Sequence, residues 1–235
     1  MIEGVSKGTA VVTGASSGVG ACYAEQLAER GYDVIMIARN RERMNQLARQ
    51  LTDKTGRSFE VMQADLTRQA GVQRVESLLR SDSSITMLVN NAGIGAAAPM
   101  LEIDASLINP IIAVNLAALT RFTRAAAPAF ASRGKGTIIQ VATVAAHHLD
   151  CKSGICEGIA AYVLAYSKSV HQEFSDQGIR LHVVLPESKY RSFLKNTNYE
   201  TAWAPASNTR SAESMVRAAL AGLDQGEFVS MASSR

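Results

Sequence analysis

The strongest constraint on the fold is the regular alternation of short β-rich runs with longer segments of helical periodicity. Several of the β-rich runs are apolar on consecutive residues, which is typical of parallel strands covered by helices on both faces. The predicted strands are Thr9–Val12, Val34–Ile37, Phe59–Gln63, Met87–Val89, Thr137–Val141, Leu181–Leu185 and Phe228–Met231. The intervening helices are predicted at Asn40–Asp53, Arg68–Leu79, Ala105–Ser132, Gly158–Asp176 and Ser211–Leu223, after a first helix that carries Val19, Tyr23 and Leu27. This order predicts an α/β fold, a doubly wound parallel sheet of about seven strands with helices on both faces.

Composition limits the class of protein. Hydrophobic residues make up 47% and charged residues 19% of the 235, which suits one buried core and excludes a disordered chain. The net charge of +3 comes without runs of like charge, so it does not indicate a nucleic-acid partner. The 3 cysteines are too few for a disulfide framework. No apolar run reaches the roughly 18 residues of a membrane span, and the N-terminus shows no apolar signal core. We therefore expect a cytoplasmic protein with no membrane partner.

A single domain over residues 1–235 is the expected organisation, because no repeat or linker interrupts the pattern. Residues 187–210 have weak periodicity and include Trp203 and Pro205. We predict that this segment is a flap over the substrate; the alternative is a long surface loop.

The most informative motif follows the first strand and opens the first helix, which is the context of a dinucleotide-binding loop. Gly14 permits a tight turn, Gly18 lets the backbone approach a pyrophosphate, and Gly20 lets the helix pack closely on the strand. The helix start then offers free N–H groups to the phosphates. The alternative is an ordinary glycine-rich turn. The candidate cofactor contacts of this loop are Gly14, Ser16, Ser17, Gly18, Val19 and Gly20.

The end of the second strand decides between the two nicotinamide dinucleotides. A carboxylate there would bind the ribose 2′-hydroxyl of NAD, but this sequence has Arg39, with Arg41 nearby. A guanidinium suits a 2′-phosphate by charge and by its forked donors, so we predict NADP(H). The alternative is that Arg39 only starts the next helix in solvent.

The spacing of Gly14, Gly18 and Gly20 resembles that of the short-chain dehydrogenase/reductase family, and the resemblance extends over residues 6–231. Residues 90–93, Asn-Asn-Ala-Gly, are similar to the family's second motif, and residues 65–66, Asp-Leu, to its adenine contact. The resemblance implies a Rossmann-like fold and further cofactor contacts at Asp65, Leu66, Asn91, Ala92, Gly93 and Pro186. The alternatives are a helix N-cap for Asp65 and a loop turn for the two asparagines.

Members of the family reduce a carbonyl or oxidise an alcohol by hydride transfer. The resemblance implies a Tyr proton donor whose pKa is lowered by a Lys four residues later, a Ser thirteen residues before the Tyr, and an Asn on the preceding long helix. Asn115 matches the Asn; the alternative is a buried Asn with local partners.

Two counts locate the Tyr position in this chain. Residues 136–143 resemble the family's fifth strand and place Thr143 at the Ser position, so thirteen residues on lies Cys156 and four further lies Ala160. Residues 178–181 resemble the start of the sixth strand, and the count backward from Gly178 also reaches Cys156. The expected catalytic positions are therefore Asn115, Thr143, Cys156 at the Tyr position and Ala160 at the Lys position.

A rival register uses the tyrosines of the segment that ends in Lys168. Four residues before Lys168 is Leu164, so neither Tyr162 nor Tyr166 would share a helix face with the lysine. We interpret both tyrosines as helix-packing or subunit-interface residues.

These replacements predict a competent nucleotide site and severely impaired hydride chemistry. The Cys156 side chain is shorter than a Tyr, and Ala160 supplies no charge. Pro186 matches the family's Pro-Gly…Thr wall over the nicotinamide, but Glu187 and Arg191 stand for the Gly and Thr. No metal is expected, because the spacing of His147, His148, Asp150, Cys151 and Cys156 matches no closed zinc site.

Three hypotheses of function remain open. The chain is an NADP(H)-dependent oxidoreductase with an altered centre, a non-catalytic NADP(H)-binding protein, or an inactivated family variant. An active form would take a small-molecule carbonyl or alcohol. The resemblance of helices Ala105–Ser132 and Gly158–Asp176 to the family's interface helices implies a homodimer or homotetramer.

Overall fold

The structure is a computed structural model that describes residues 6–95, 101–142, 154–186 and 212–232. Its strands are β1 (Thr9–Thr13), β2 (Asp33–Ala38), β3 (Phe59–Gln63), β4 (Ile85–Asn90), β5 (Gly136–Val141), β6 (Ile179–Pro186) and β7 (Val229–Ala232). They form one 7-stranded sheet in the order β3-β2-β1-β4-β5-β6-β7, and every pair is parallel. The strand order reverses between β1 and β4, so the carboxyl ends of these two strands flank the place where open α/β sheets bind ligands.

Helices connect the strands. They are α1 (Gly18–Glu29), α2 (Arg41–Thr55), α3 (Gln69–Ser81), α4 (Ala105–Ile112), α5 (Leu119–Ser132), α6 (Gly154–Phe174) and α7 (Ala212–Asp224). A π-helical segment, Ala113–Ala118, joins α4 to α5, and a 3₁₀ turn, Ser175–Gln177, follows α6.

The core lies in two layers, one on each face of the sheet. Val11 of β1 belongs to the layer beneath α3, α5 and α6, whereas its neighbours Ala10 and Val12 belong to the layer beneath α1, α2 and α7. All three side chains are fully buried. This burial on both faces explains why the strand sequences are apolar on consecutive residues. The predicted doubly wound fold is confirmed, whereas the predicted flap at 187–210 lies outside the described residues.

The stretch Ala105–Ser132 runs as one continuous helix and is long and apolar enough, by length and composition alone, to cross a membrane. In this structure one side of it packs on the sheet, with Phe122 and Phe130 almost fully buried. Arg121, on α5, forms a bidentate ion pair with Glu76 on α3, at 2.9 and 2.6 Å. That pairing lowers the pKa of the Glu76 carboxyl and ties the two helices together.

Candidate functional site

The glycine loop leaves β1 at the switch point and is packed tightly against the sheet. Gly14 has φ +70°, and a Cβ on Gly20 would lie 2.2 Å from the Gly14 carbonyl oxygen. Both positions therefore require glycine, and Gly20 makes the close helix-to-strand contact that the spacing predicts. Gly18 has φ +56° but faces open space.

Helix α1 begins at Gly18, directly after the packed part of this loop. Ser17 occupies the N-cap position without donating or accepting a side-chain capping bond, and the first turn carries no acidic residue. The first N–H groups of α1 therefore have no side-chain acceptor at this cap, and the positive end of the helix dipole is not neutralised locally. This arrangement suits a phosphate group.

The carboxyl ends of β1 and β4 are joined by a buried set of hydrogen bonds, which we call the β1–β4 clasp (Thr13, Asn91 and Ala92). The Thr13 Oγ1 accepts from the backbone N–H groups of Asn91 and Ala92, each at 3.0 Å, and donates to the Val89 carbonyl at 3.2 Å. The Asn91 amide donates back to the Thr13 carbonyl at 2.9 Å. The clasp fixes the distance between the glycine loop and the segment that follows β4.

The end of β2 presents the predicted specificity residues. Arg39 is exposed and lines an open depression with Asn40, Arg41 and Gln63. The Gln63 amide donates to the Arg39 carbonyl at 2.9 Å, which holds the backbone at this point. The depression is open to solvent and is lined by two guanidiniums and one carboxylate, that of Glu42, so its net charge suits a 2′-phosphate.

Asp65 and Leu66 follow β3 beside this depression. The Asp65 carboxylate accepts from the hydroxyl and backbone N–H of Thr67 at 2.7 and 3.0 Å, and these bonds lower its pKa, with a further contribution from Arg39. Arg68, not Asp65, occupies the N-cap of α3. Leu66 is buried in the core.

Asn115 lies in the π-helical segment and is 8% exposed. Its Oδ1 accepts from the Ile94 N–H at 2.8 Å, and its Nδ2 donates to the Ile94 carbonyl at 2.7 Å. The side chain therefore secures the backbone that follows Gly93, at the same edge of the sheet as the glycine loop. This paired bond accounts for an Asn inside an otherwise apolar helix.

Helix α6 presents different residues to the sheet and to the neighbouring helix. Ile159, Ala160, Val163 and Ser167 are buried, whereas Lys168 is exposed. Ala160 is 0% exposed, so only a methyl group occupies this position on the buried face.

The two tyrosines of α6 pack toward α5. The Tyr162 hydroxyl forms a 2.8 Å hydrogen bond with the Thr120 hydroxyl, and the Tyr166 hydroxyl donates to the Thr120 carbonyl at 3.4 Å. Their rings are stacked, with centroids 5.6 Å apart. Both tyrosines therefore pack against α5. Neither forms a shared site with the exposed Lys168.

Several predicted positions lie partly or wholly outside the described residues. Cys156 lies in the first turn of α6 and Pro186 ends β6, but their side chains lie outside the described part of the chain. Also outside the described residues are Thr143, His147, His148, Asp150, Cys151, Glu187 and Arg191.

Comparison with known proteins decides the family. The sequence model of the family described as short chain dehydrogenase matches residues 8–200. The chain belongs to the short chain dehydrogenase family. A very-long-chain 3-oxoacyl-CoA reductase from Anas platyrhynchos is 30% identical over 216 residues, which cover 90% of this chain and 67% of the relative. Among reductases of this name the chain spans 58% to 67% of their length.

Two solved members of the family are similar over almost the whole chain. The bulky-bulky ketone specific alcohol dehydrogenase from Comamonas testosteroni is 35% identical with a TM-score of 0.87, covering 98% of this chain and 88% of that one. A short-chain dehydrogenase from Sphingobium yanoikuyae in complex with NADPH is 35% identical with a TM-score of 0.88, covering 95% and 87%. The predicted family and Rossmann-like sheet are confirmed.

Sequence reasoning missed a second buried network at the same sheet edge. The Asn90 amide donates to the Gln140 side-chain carbonyl at 3.0 Å, and the Gln140 amide donates to the Thr123 hydroxyl at 2.8 Å. The three side chains tie β4, β5 and α5 together. The sequence feature that could have indicated this network is Gln140, a polar residue inside an apolar strand. The feature that could have indicated the clasp is Thr13, a hydroxyl residue directly before Gly14.

We predict that Thr13→Val destabilises the protein. Valine keeps the shape but removes the acceptor of the part-buried Ala92 N–H and the donor to the Val89 carbonyl, which costs about 1–3 kcal/mol. Thr13→Ser keeps the hydroxyl and is the matched control, with less than half of that loss. The free energy of unfolding in urea measures both variants. Equal stabilities of the Val variant and the wild type would contradict the role of the clasp.

Proposed function

We propose that the chain is an NADP(H)-binding oxidoreductase of this family in which hydride transfer between the nicotinamide and a carbonyl or alcohol is impaired. NADPH is bound by the Sphingobium relative, and the residues here fit the same ligand. The observation that carries the proposal is the contrast between the two halves of the site. The glycine loop keeps its tight packing, while the buried face of α6 presents only the methyl group of Ala160, the residue that our proposal aligns with the family's Lys.

The cofactor-binding half uses backbone groups and a few side chains. The residues proposed to hold the dinucleotide are Gly14, Ser16, Ser17, Gly18, Val19, Gly20, Arg39, Asp65, Leu66, Asn91, Ala92, Gly93 and Pro186. The N–H groups at the start of α1 bind the pyrophosphate, and the Arg39 guanidinium binds the 2′-phosphate. Bound NADPH would supply the hydride.

The proton-transfer half lacks its usual groups in this proposal. Cys156 stands at the Tyr position, with a thiol too short to reach a carbonyl oxygen held in the family's pose. Ala160 provides no charge to lower the pKa of a donor. Asn115 and Thr143 remain as the groups that any residual turnover would use. Loss of general acid–base help lowers the rate by roughly 10²–10⁴-fold.

A second candidate function is binding without turnover, in which the NADP(H)-bound state is read by a partner. The same replacements favour it, because they leave the cofactor contacts intact. If turnover remains, the relatives point to bulky ketones or 3-oxoacyl thioesters as the substrate class.

We also propose a cytosolic homodimer or homotetramer, consistent with one domain over 1–235. Leu107 and Ile112 on α4 are 40% and 44% exposed, and Tyr162 on the adjacent α6 is 38% exposed. Large apolar side chains on neighbouring helices favour pairing of two copies through this face. The Arg121–Glu76 pair supports packing of the apolar helix within a soluble fold.

The specificity proposal predicts that Arg39→Gln weakens NADPH binding 10- to 100-fold and NADH binding less than threefold. A charge-assisted hydrogen bond to phosphate is worth about 1.5–3 kcal/mol, and NADH has no 2′-phosphate. Dihydronicotinamide fluorescence measures both affinities. Arg49→Gln, on the exposed side of α2, removes the same charge elsewhere and leaves NADPH binding unchanged. Parallel loss of NADPH and NADH binding would contradict the assignment.

Restoring the family's residues tests the proposed catalytic defect. Cys156→Tyr combined with Ala160→Lys should raise NADPH oxidation with a bulky ketone at least 100-fold, since general acid–base catalysis contributes roughly 10²–10⁴-fold. Each single variant should recover much less. Thermal unfolding and NADPH affinity confirm that the double variant is folded. A wild type that already oxidises NADPH rapidly with the ketone would refute the defect, whereas a slow wild type with no recovery in the folded double variant would direct attention to Glu187 and Arg191.

For the subunit interface, Ile112→Glu should shift the molar mass measured by light scattering from an oligomer toward the monomer, because a carboxylate would be buried in the apolar contact. Gln46→Glu adds the same group on the exposed side of α2 and should leave the mass unchanged. A wild type that is monomeric, or an Ile112→Glu variant of unchanged mass, would exclude this face.

A further inference from the structure

A second cavity lies at the edge of the sheet opposite the glycine loop, among the residues that precede or begin β1, β4, β5 and β6. Its volume is about 440 Å³, within the range of small-molecule sites. The two edges are separated by the length of β1, which has 5 residues and therefore spans roughly 15 Å. The cavity is thus distinct from the proposed cofactor site.

Positive charge dominates the rim of this cavity. Lys7, Arg30, Lys135 and Arg180 line it, against the single carboxylate of Asp224. Asp224 pairs with Arg30 at 2.9 Å. Within the described residues, no carboxylate lies within ion-pair distance of the other three cations.

The pairing of β5 with β6 brings two of these cations to the same end of neighbouring strands. The β5–β6 register pairs Thr137 with Arg180, and the Arg180 guanidinium donates to the Thr137 hydroxyl at 3.3 Å. Lys135 directly precedes β5, the strand that pairs with β6. A forked guanidinium beside an ammonium is a common arrangement for binding phosphate oxygens.

The remaining walls are apolar or aromatic. Leu27, Leu220 and Leu223 are buried at the base of the cavity. The half-buried Tyr32 ring forms one side, with the Lys7 ammonium 6.0 Å from its centroid. Burial raises the pKa of the Tyr32 phenol, while the positive charges of Arg180 and Arg30 act to lower it, so both guanidiniums lie within electrostatic reach of the hydroxyl.

We propose that this cavity is a second ligand site, which binds a small organic phosphate. Its phosphate lies between Lys135 and Arg180, and its apolar or aromatic body contacts Tyr32 and the leucines at the base. An isolated cluster of cations would be solvated on the surface, but these cations line a cavity whose other lining residues include three buried leucines. The combination favours a phosphate ester or diphosphate over a bare inorganic anion.

Calorimetric titration with uridine diphosphate tests this site. We expect saturable binding, at least tenfold weaker in the Lys135→Gln, Arg180→Gln double variant. The matched control is Arg39→Gln with Arg41→Gln, which removes two positive charges at the cofactor end and should change the affinity less than threefold. Uridine and inorganic pyrophosphate should each bind more weakly than uridine diphosphate.

Four results would overturn the proposal: no saturable binding, equal losses in the two double variants, a loss only in the Arg39, Arg41 variant, or pyrophosphate binding as tightly as the diphosphate. Thermal unfolding shows whether loss of the Arg180–Thr137 contact affects folding. Lys135→Gln alone removes a side chain without an ion-pair partner among the described residues, and should still weaken binding at least threefold. An unchanged affinity in that folded variant would also overturn the proposal.

Discussion

The hydrogen bonds of the β1–β4 clasp set the geometry on which the rest of the site depends. They hold the carboxyl ends of two central strands together at the point where the strand order reverses. With that distance fixed, the chain must turn so tightly after β1 that no Cβ fits at Gly20. Helix α1 begins directly after this turn with a start that no side chain caps. A nucleotide-binding surface therefore follows from the packing of backbone against backbone.

The two halves of the site have different physical requirements, and in the proposed function one persists while the other is lost. Phosphate binding relies on backbone N–H groups and a helix dipole, which the fold itself supplies. Proton transfer relies on the reach and the pKa of particular side chains. A single substitution removes such a group without disturbing the sheet. In this chain Ala160 packs as an ordinary buried residue of α6, so the fold accommodates an alanine at the position that our proposal aligns with the family's Lys.

The fold was largely predictable because burial on both faces makes each parallel strand visible as an apolar run. The predicted β3 agrees in both bounds, and the predicted β1 ends one residue early, at Val12. The contacts of Asn115 in the π-helical segment were not predictable, because its side chain bonds to Ile94, which is distant in sequence. The bonds of Thr123 with Gln140 and Asn90 were hidden for the same reason. The alignment of Cys156 and Ala160 with the family's Tyr and Lys rests on counting residues along the sequence, which needs no knowledge of tertiary contacts.

The most direct measurement of the central claim is a titration of the wild-type protein with NADPH, followed by addition of a bulky aromatic ketone or a 3-oxoacyl thioester to the saturated complex. We predict saturable binding of one NADPH per chain and no more than a single slow conversion of the bound cofactor, observed by its absorbance. Rapid, repeated turnover would contradict the proposed loss of the proton-transfer half, and the absence of saturable binding would contradict the proposed nucleotide site.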